Sequence, residues 1–256
     1  MFKVLTLAKT TLREMLRERV FLVVVVIAVI LFALSFLLGA LSLAEQRKIL
    51  ADFGFLGIQV ALLGVSLFSG AYLLAKEIEK QTCLLILSRP VTRDQFILGK
   101  IFGVLALNVI LVTSLGILLA LLLGLWNEPQ RWGTFFEICL SLWMESAVLL
   151  CLVIGLSLVV RPVLALSSGF VIFLLGHWLS DLAFFAEKSK EAIFVTAVKA
   201  LHWVVPNLYR LNWKSDYFLE NGIPFANILW MLGHMLGWFL IYLVFTNFFF
   251  RRKDIV

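Results

Sequence analysis

The sequence predicts an all-α polytopic membrane protein: six transmembrane helices, both termini inside, and an amphipathic interfacial helix ahead of the first span. Three observations carry this. Of 256 residues, 62 % are hydrophobic and 15 % charged, against roughly 45–50 % and about 25 % in soluble domains. The apolar residues gather into uninterrupted runs approaching or exceeding the roughly 20 residues that a helix needs to cross a bilayer. Lys and Arg collect at the two chain ends and in one internal loop, as the positive-inside rule expects. A soluble enzyme is excluded for want of polar surface. A barrel is excluded because the runs show no alternating ten-residue pattern.

Residues 1–19 come first. Leu5, Leu7, Ala8, Leu12, Met15 and Leu16 recur mostly three or four apart, while Lys9, Arg13, Glu14 and Arg17 largely face elsewhere. That is the pattern of a helix lying at a membrane interface; the alternative is that it simply extends the first span. The apolar run that follows, Val20 to Leu38, is too long for a cleaved leader and lacks an Ala-x-Ala exit. Lipid cannot hydrogen-bond an exposed backbone, so each such run must be helical. The spans fall at about 20–40, 53–75, 99–125, 135–160, 163–180 and 226–250. The third ends at Trp126-Asn127-Glu128-Pro129, the fourth at Arg161-Pro162, and the sixth at Arg251-Arg252-Lys253. All of 1–256 reads as one transmembrane domain.

Two connecting segments stand out. Residues 76–100 form an inner loop in which Ser88-Arg89-Pro90 breaks a short apolar stretch and Thr92 is placed to cap the next helix. Residues 181–225 form the largest outer segment. Its first part, Glu187 to Val204, reads as a helix on or dipping into the outer leaflet, ending near Pro206-Asn207. A polar stretch from Leu211 to Pro224 then leads to the last span. Trp178, Trp203, Tyr209, Trp213, Tyr217 and Trp230 are expected to form an outer aromatic belt. With both ends inside, 14 of the 22 Lys and Arg fall on the inner segments.

Motifs for catalysis are missing. No metalloprotease, C-x-x-C or G-x-S-x-G pattern occurs, and Asp94 stands where a P-loop ending at Gly99-Lys100 needs its first glycine. Cys83, Cys139 and Cys151 each sit in an apolar run, as small buried hydrophobes do. The net charge of +6 reports basic residues held on the inner side rather than a nucleic-acid partner. The polar candidates are Glu145, roughly 15 Å into the fourth span, and Asn108 in the third. They are read as lining a conduit or bonding across helices. Gln59 is shallower. His177 and His234, both in outer halves of spans, are read as helix caps or cross-bonds before any metal or proton site. Gly99 and Gly103, and the Gly233-x-x-x-Gly237 pair, mark places where helices approach closely.

The inner loop carries Glu77-x-Glu79, then Thr82-x-Leu84-Leu85-x-Leu87-Ser88-Arg89-Pro90-Val91-x-Arg93-x-x-Phe96-x-Leu98-Gly99-Lys100. This resembles the first intracellular loop of ABC-2 type (type V exporter-like) transporter permeases, with Gln81 where many relatives have Gly. Leu43-x-x-Gln46, Asp52-Phe53-Gly54 and Pro206-Asn207 resemble the subgroup that includes the permease of the copper-dependent nitrous-oxide reductase maturation system. The resemblance implies an exporter subunit that is not itself an enzyme and holds no cofactor. ATP and Mg would be bound by a separate cytoplasmic ABC ATPase. A second permease copy, identical or related, would complete the pair in membrane lipid, in a bacterial inner membrane. It implies that Glu77, Glu79, Lys80, Leu84, Leu85, Arg89, Pro90 and Arg93 seat on the ATPase. Residues 1–19 would be a connecting helix, and the segment with Pro206 and Asn207 an outer gate. A non-transporting scaffold, or a sensory or assembly subunit of a permease-like complex, stays open beside it.

Overall fold

The computed structural model describes residues 2–41, 46–79, 91–124, 131–189, 191–218 and 223–252. All regular structure among them is helical. The helices are α1 (Phe2–Arg17), α2 (Arg19–Leu41), α3 (Gln46–Glu79), α4 (Arg93–Gly124), α5 (Trp132–Val159), α6 (Pro162–Lys188), α7 (Ala192–Val204) and α8 (Phe225–Arg252). Two short 3₁₀ turns, Leu208–Leu211 and Lys214–Phe218, lie between α7 and α8. Six of the described helices, α2 to α6 and α8, are long and apolar enough to cross a membrane; α7 with the two turns would make a seventh if taken as one broken crossing.

Local chemistry explains the boundaries. The short link from α5 to α6 follows from Arg161-Pro162: Pro162 opens α6, where its missing N–H costs nothing. At the start of α4, Thr92 Oγ1 accepts from the Gln95 N–H while Gln95 Oε1 accepts from the Thr92 N–H, both at 3.3 Å. This capping box confirms the cap expected at Thr92 and uses Gln95 as its second half. α1 and α2 are separate helices that break at Glu18, rather than one long helix. α6 reaches Lys188, several residues past the expected end of the fifth span.

The core sits around α3 and α5, the two most enclosed spans, whereas α2, α6 and α8 are largely exposed. α2 packs along α3, α5 against both α3 and α8, and α1 along α4. The last contact depends on two glycines. A Cβ on Gly99 would lie 2.5 Å from Leu7 Cβ, and one on Gly103 would lie 2.6 Å from Thr11 Cβ and 2.8 Å from the Ala8 carbonyl. Gly233 and Gly237 have nothing within 4 Å of such a position, so among the described residues this pair brings no helix close.

The outer segment differs from expectation. The stretch from Leu211 onward is not a solvated polar connection: Leu208, Leu211, Trp213 and Tyr217 are buried. Tyr217 packs 5.5 Å from Phe55 and 6.4 Å from Phe135 between ring centroids. Gly176 admits the segment against α6, since a Cβ there would lie 2.8 Å from both Leu208 Cγ and the Pro206 carbonyl. Trp213 and Tyr217 therefore belong to the core rather than to an aromatic belt, while Trp178, Trp203, Tyr209 and Trp230 are exposed.

Candidate functional site

Two clusters that contain charged side chains interrupt the apolar interior among the described residues. The first joins α3, α5, α6 and the second 3₁₀ turn. Glu145 lies 13 residues into α5, about 20 Å along it. Its carboxylate accepts from Gln59 Nε2 at 3.3 and 3.0 Å. Gln59 Nε2 is also 3.3 Å from His177 Nε2, and Gln59 Oε1 accepts from Lys214 Nζ. The partners fix the amide's orientation. An ammonium only donates and a carboxylate only accepts, so the oxygen must face Lys214 and the NH₂ must face Glu145. His177 Nδ1 lies 3.1 Å from the Phe173 carbonyl, which places the ring proton on Nδ1 and leaves Nε2 to accept from Gln59. His177 Nε2 and Glu145 Oε1 are 3.6 Å apart.

Gln59 is thus the hub of a network with one anion, one cation and one imidazole. Glu145 is 2 % and Gln59 6 % exposed, and a buried network of this kind holds only while every member is satisfied. Lys214 also lines an open cavity of about 570 Å³ with Lys48, Asp52, Leu56, Asn212 and Phe218. Burial pushes the Lys214 ammonium below its ordinary range, and the Glu145 and Asp52 carboxylates offset part of that. Lys214 is the one residue of the cluster that lines this cavity. Asn108 does not join it. Asn108 Nδ2 donates instead to Ser66 Oγ at 2.9 Å and Ser146 Oγ at 3.0 Å, tying α4 to α3 and α5.

The second cluster lies where α1, the end of α3 and the start of α4 meet. Lys100, 4 % exposed, donates from Nζ to Glu77 Oε1 and, at 3.5 Å, to Glu14 Oε2. Next to it, Arg93 Nη1 donates to the Phe250 and Arg251 carbonyls at 3.1 and 3.0 Å, satisfying the last turn of α8. Phe96 stacks on Phe250, and Arg251 donates to Asp94 from Nε, at 3.0 Å to Oδ1, and from Nη2 to Oδ2. Four helices are riveted at this end.

Of the residues expected to contact a partner, Glu77 is buried against Lys100, Glu79 is exposed at the last residue of α3, and Arg93 reaches α8. Lys80, Leu84, Leu85, Arg89 and Pro90 lie outside the described residues. Pro206 is buried against Gly176, and Asn207 precedes the first 3₁₀ turn with Oδ1 buried and unpartnered among the described residues. Lys214 is the functional candidate that sequence reasoning missed. No local pattern marks it, because its partner Gln59 is 155 positions away. His177 meets Glu145 and Gln59 rather than His234. Among the described residues, no group of three or more His, Cys, Asp and Glu is arranged to hold a metal ion.

Fold and clusters together define a multi-pass helical membrane protein with a charged network in its interior and a bonded junction at the end that holds α1. Residues 5–255 match the family described as ABC-2 family transporter protein, and the chain belongs to that family. It is accordingly a membrane permease subunit and not itself an enzyme. No curated protein matches the sequence.

Proposed function

We propose that this chain is the membrane-spanning subunit of an ATP-driven exporter, with both termini and the 76–100 loop in the cytoplasm of a bacterial cell and the permease in its inner membrane. The loop, through Glu79 and the segment containing Lys80, Leu84, Leu85, Arg89 and Pro90, seats on a separate ABC ATPase that binds ATP and Mg. A second permease copy completes the transporter, and α1 borders the same interface as an interfacial connecting helix. The resemblance of Asp52-Phe53-Gly54 and Pro206-Asn207 favours the nitrous-oxide reductase maturation subgroup.

The observation that carries this reading is the Glu14–Lys100–Glu77 junction. The two helices that flank the loop are bonded to each other and to α1 at the point where the loop leaves the bundle. Closure of the ATPase pair would press on the loop and enter α3 at Glu77 and α4 at Lys100 together. α1 moves with α4 through Gly99 and Gly103, and α8 follows through Arg93 and Asp94. α3 also carries Gln59. Displacing it shifts the amide that holds Lys214, and with it the buried segment behind Pro206 and Asn207, which is how a small push becomes an opened cavity.

The test is purification of the tagged chain from its native membrane in mild detergent, followed by identification of bound proteins and measurement of ATP hydrolysis. Glu79→Lys is the informative variant, because Glu79 is exposed and its reversal leaves the buried junction intact. Recovery of an ATPase, with binding and stimulated hydrolysis lost in Glu79→Lys, supports the reading. No ATPase under several gentle conditions, or hydrolysis indifferent to Glu79→Lys and Arg89→Glu, overturns it in favour of a scaffold.

A further inference from the structure

A lateral slot of about 350 Å³ lies between the α1–α2 break and α3, walled by Met15, Phe21, Val65, Phe68, Leu73 and Leu107. Phe68 and Tyr72 are 40 % and 42 % exposed, so it opens sideways. Ser69 also lines it, with Oγ 3.6 Å from Met15 Sδ, so a side chain at position 69 points across the gap at α1. Glu14, Glu18 and Lys76 line both this slot and an adjoining open cleft of about 750 Å³, which Arg13, Arg17 and Arg19 complete. Charged α1 ends and the apolar run of α2 begins at this break, which sets the site at a membrane boundary.

The ion pairs around the cleft decide which charge is left over. Glu18 is taken by Lys76 at 2.5 Å, and Glu14 shares Lys100, at 3.5 Å, with Glu77. Arg13, Arg17 and Arg19 are exposed and have no ion-pair partner among the described residues. Two lysines and three guanidiniums against three carboxylates leave two positive charges, and the excess lies on the arginines.

We infer that this site binds one anionic phospholipid, of the phosphatidylglycerol type, with part of one acyl chain in the slot and its phosphate on the arginines. Guanidiniums hold phosphate oxygens through paired, charge-assisted donors. With the carboxylates already engaged, the ammonium of an ethanolamine or choline headgroup would meet three unpaired guanidiniums, whereas a glycerol headgroup adds no charge. A basic face alone attracts any anionic surface; a basic face joined to an apolar slot holds one molecule. The inference stands apart from the transport reading, since it needs neither an ATPase nor a direction.

The experiment uses the purified full chain, stripped of lipid in detergent and then equilibrated with mixed micelles holding equal amounts of dioleoyl phosphatidylglycerol, phosphatidylethanolamine and phosphatidylcholine. Lipids retained per chain are counted by native mass spectrometry. Wild type is expected to retain a single phosphatidylglycerol, about tenfold over either zwitterionic lipid. Arg17→Gln lowers that retention about fivefold, the worth of one basic residue beside an anionic headgroup. Lys9→Gln removes a charge from α1 outside the cleft and leaves retention within about twofold of wild type. Ser69→Phe fills the slot without touching the arginines and lowers retention about tenfold. Should Ser69→Phe misfold, the comparison of Arg17→Gln with Lys9→Gln decides alone. Equal retention of the three lipids, equal losses in Arg17→Gln and Lys9→Gln, or full retention in a folded Ser69→Phe protein overturns the inference. So does a lipid-free dimer that Ser69→Phe dissociates, which gives the slot to a second copy.

Discussion

Alanine at Gly103 puts a methyl carbon 2.6 Å from Thr11 Cβ and 2.8 Å from the Ala8 carbonyl oxygen. Neither neighbour is the free end of a flexible side chain; both belong to the body of α1. The strain therefore cannot be relieved by a rotamer change, and α1 must lift from α4 as a unit. Overpacking of this kind costs about 2 kcal/mol, which for a chain of this size lowers Tm by roughly 4–8 °C. Gly99→Ala meets Leu7 Cβ at 2.5 Å and the Val4 carbonyl at 3.3 Å, and is expected to behave alike. The control is internal: Gly233→Ala and Gly237→Ala add the same methyl where nothing lies within 4 Å, so they are expected to change stability by less than about 0.5 kcal/mol. Thermal unfolding of the four detergent-solubilised variants, followed by tryptophan fluorescence, makes the comparison. Gly103→Ala melting with wild type, or Gly233→Ala losing as much as Gly103→Ala, would refute the packing of α1 described above.

Gln59→Leu keeps the side chain's bulk but removes the amide between Glu145, His177 and Lys214; leaving these buried groups without their hub is expected to cost about 3 kcal/mol in the same melting assay. The combined Gln59→Leu, Glu145→Leu, Lys214→Met variant should be more stable than Gln59→Leu alone, because no charge is then stranded; a further loss would mean the groups act independently. Thr92→Ala removes one half of the capping box at the start of α4 and is expected to cost about 1 kcal/mol, again read as a fall in melting temperature, and no fall would place the start of α4 elsewhere.

Much of the fold was legible because the bilayer enforces it. A run such as Val20 to Leu38 has one stable answer in lipid, and Pro162 or Thr92 marks a helix start by chemistry confined to three or four neighbouring residues. Glu145 was legible for a related reason: a carboxylate in the middle of an apolar run is costly enough to signal a purpose. Its partners were not. The sequence offers Glu145 and Asn108 together as the polar candidates; the structure gives Asn108 to Ser66 and Ser146 and gives Glu145 to Gln59 and His177. Which face of a uniformly apolar helix turns inward is not encoded in its periodicity, so partners at equal depth cannot be told apart.

By itself the sequence determined that the chain crosses a membrane as a set of helices, and where most of them begin and end. Those features rest on short-range chemistry and on the solvent. Tertiary structure alone decided that Gly99 and Gly103 serve α1 while Gly233 and Gly237 serve no described helix, that Trp213 and Tyr217 are core residues, and that Lys214 reaches Gln59. A lysine in a polar connection carries the same local signal whether it meets water or a buried amide. What separates the two is the path of the backbone between α3, α5 and α6, set by Phe55, Phe135 and Gly176, one from each of those helices.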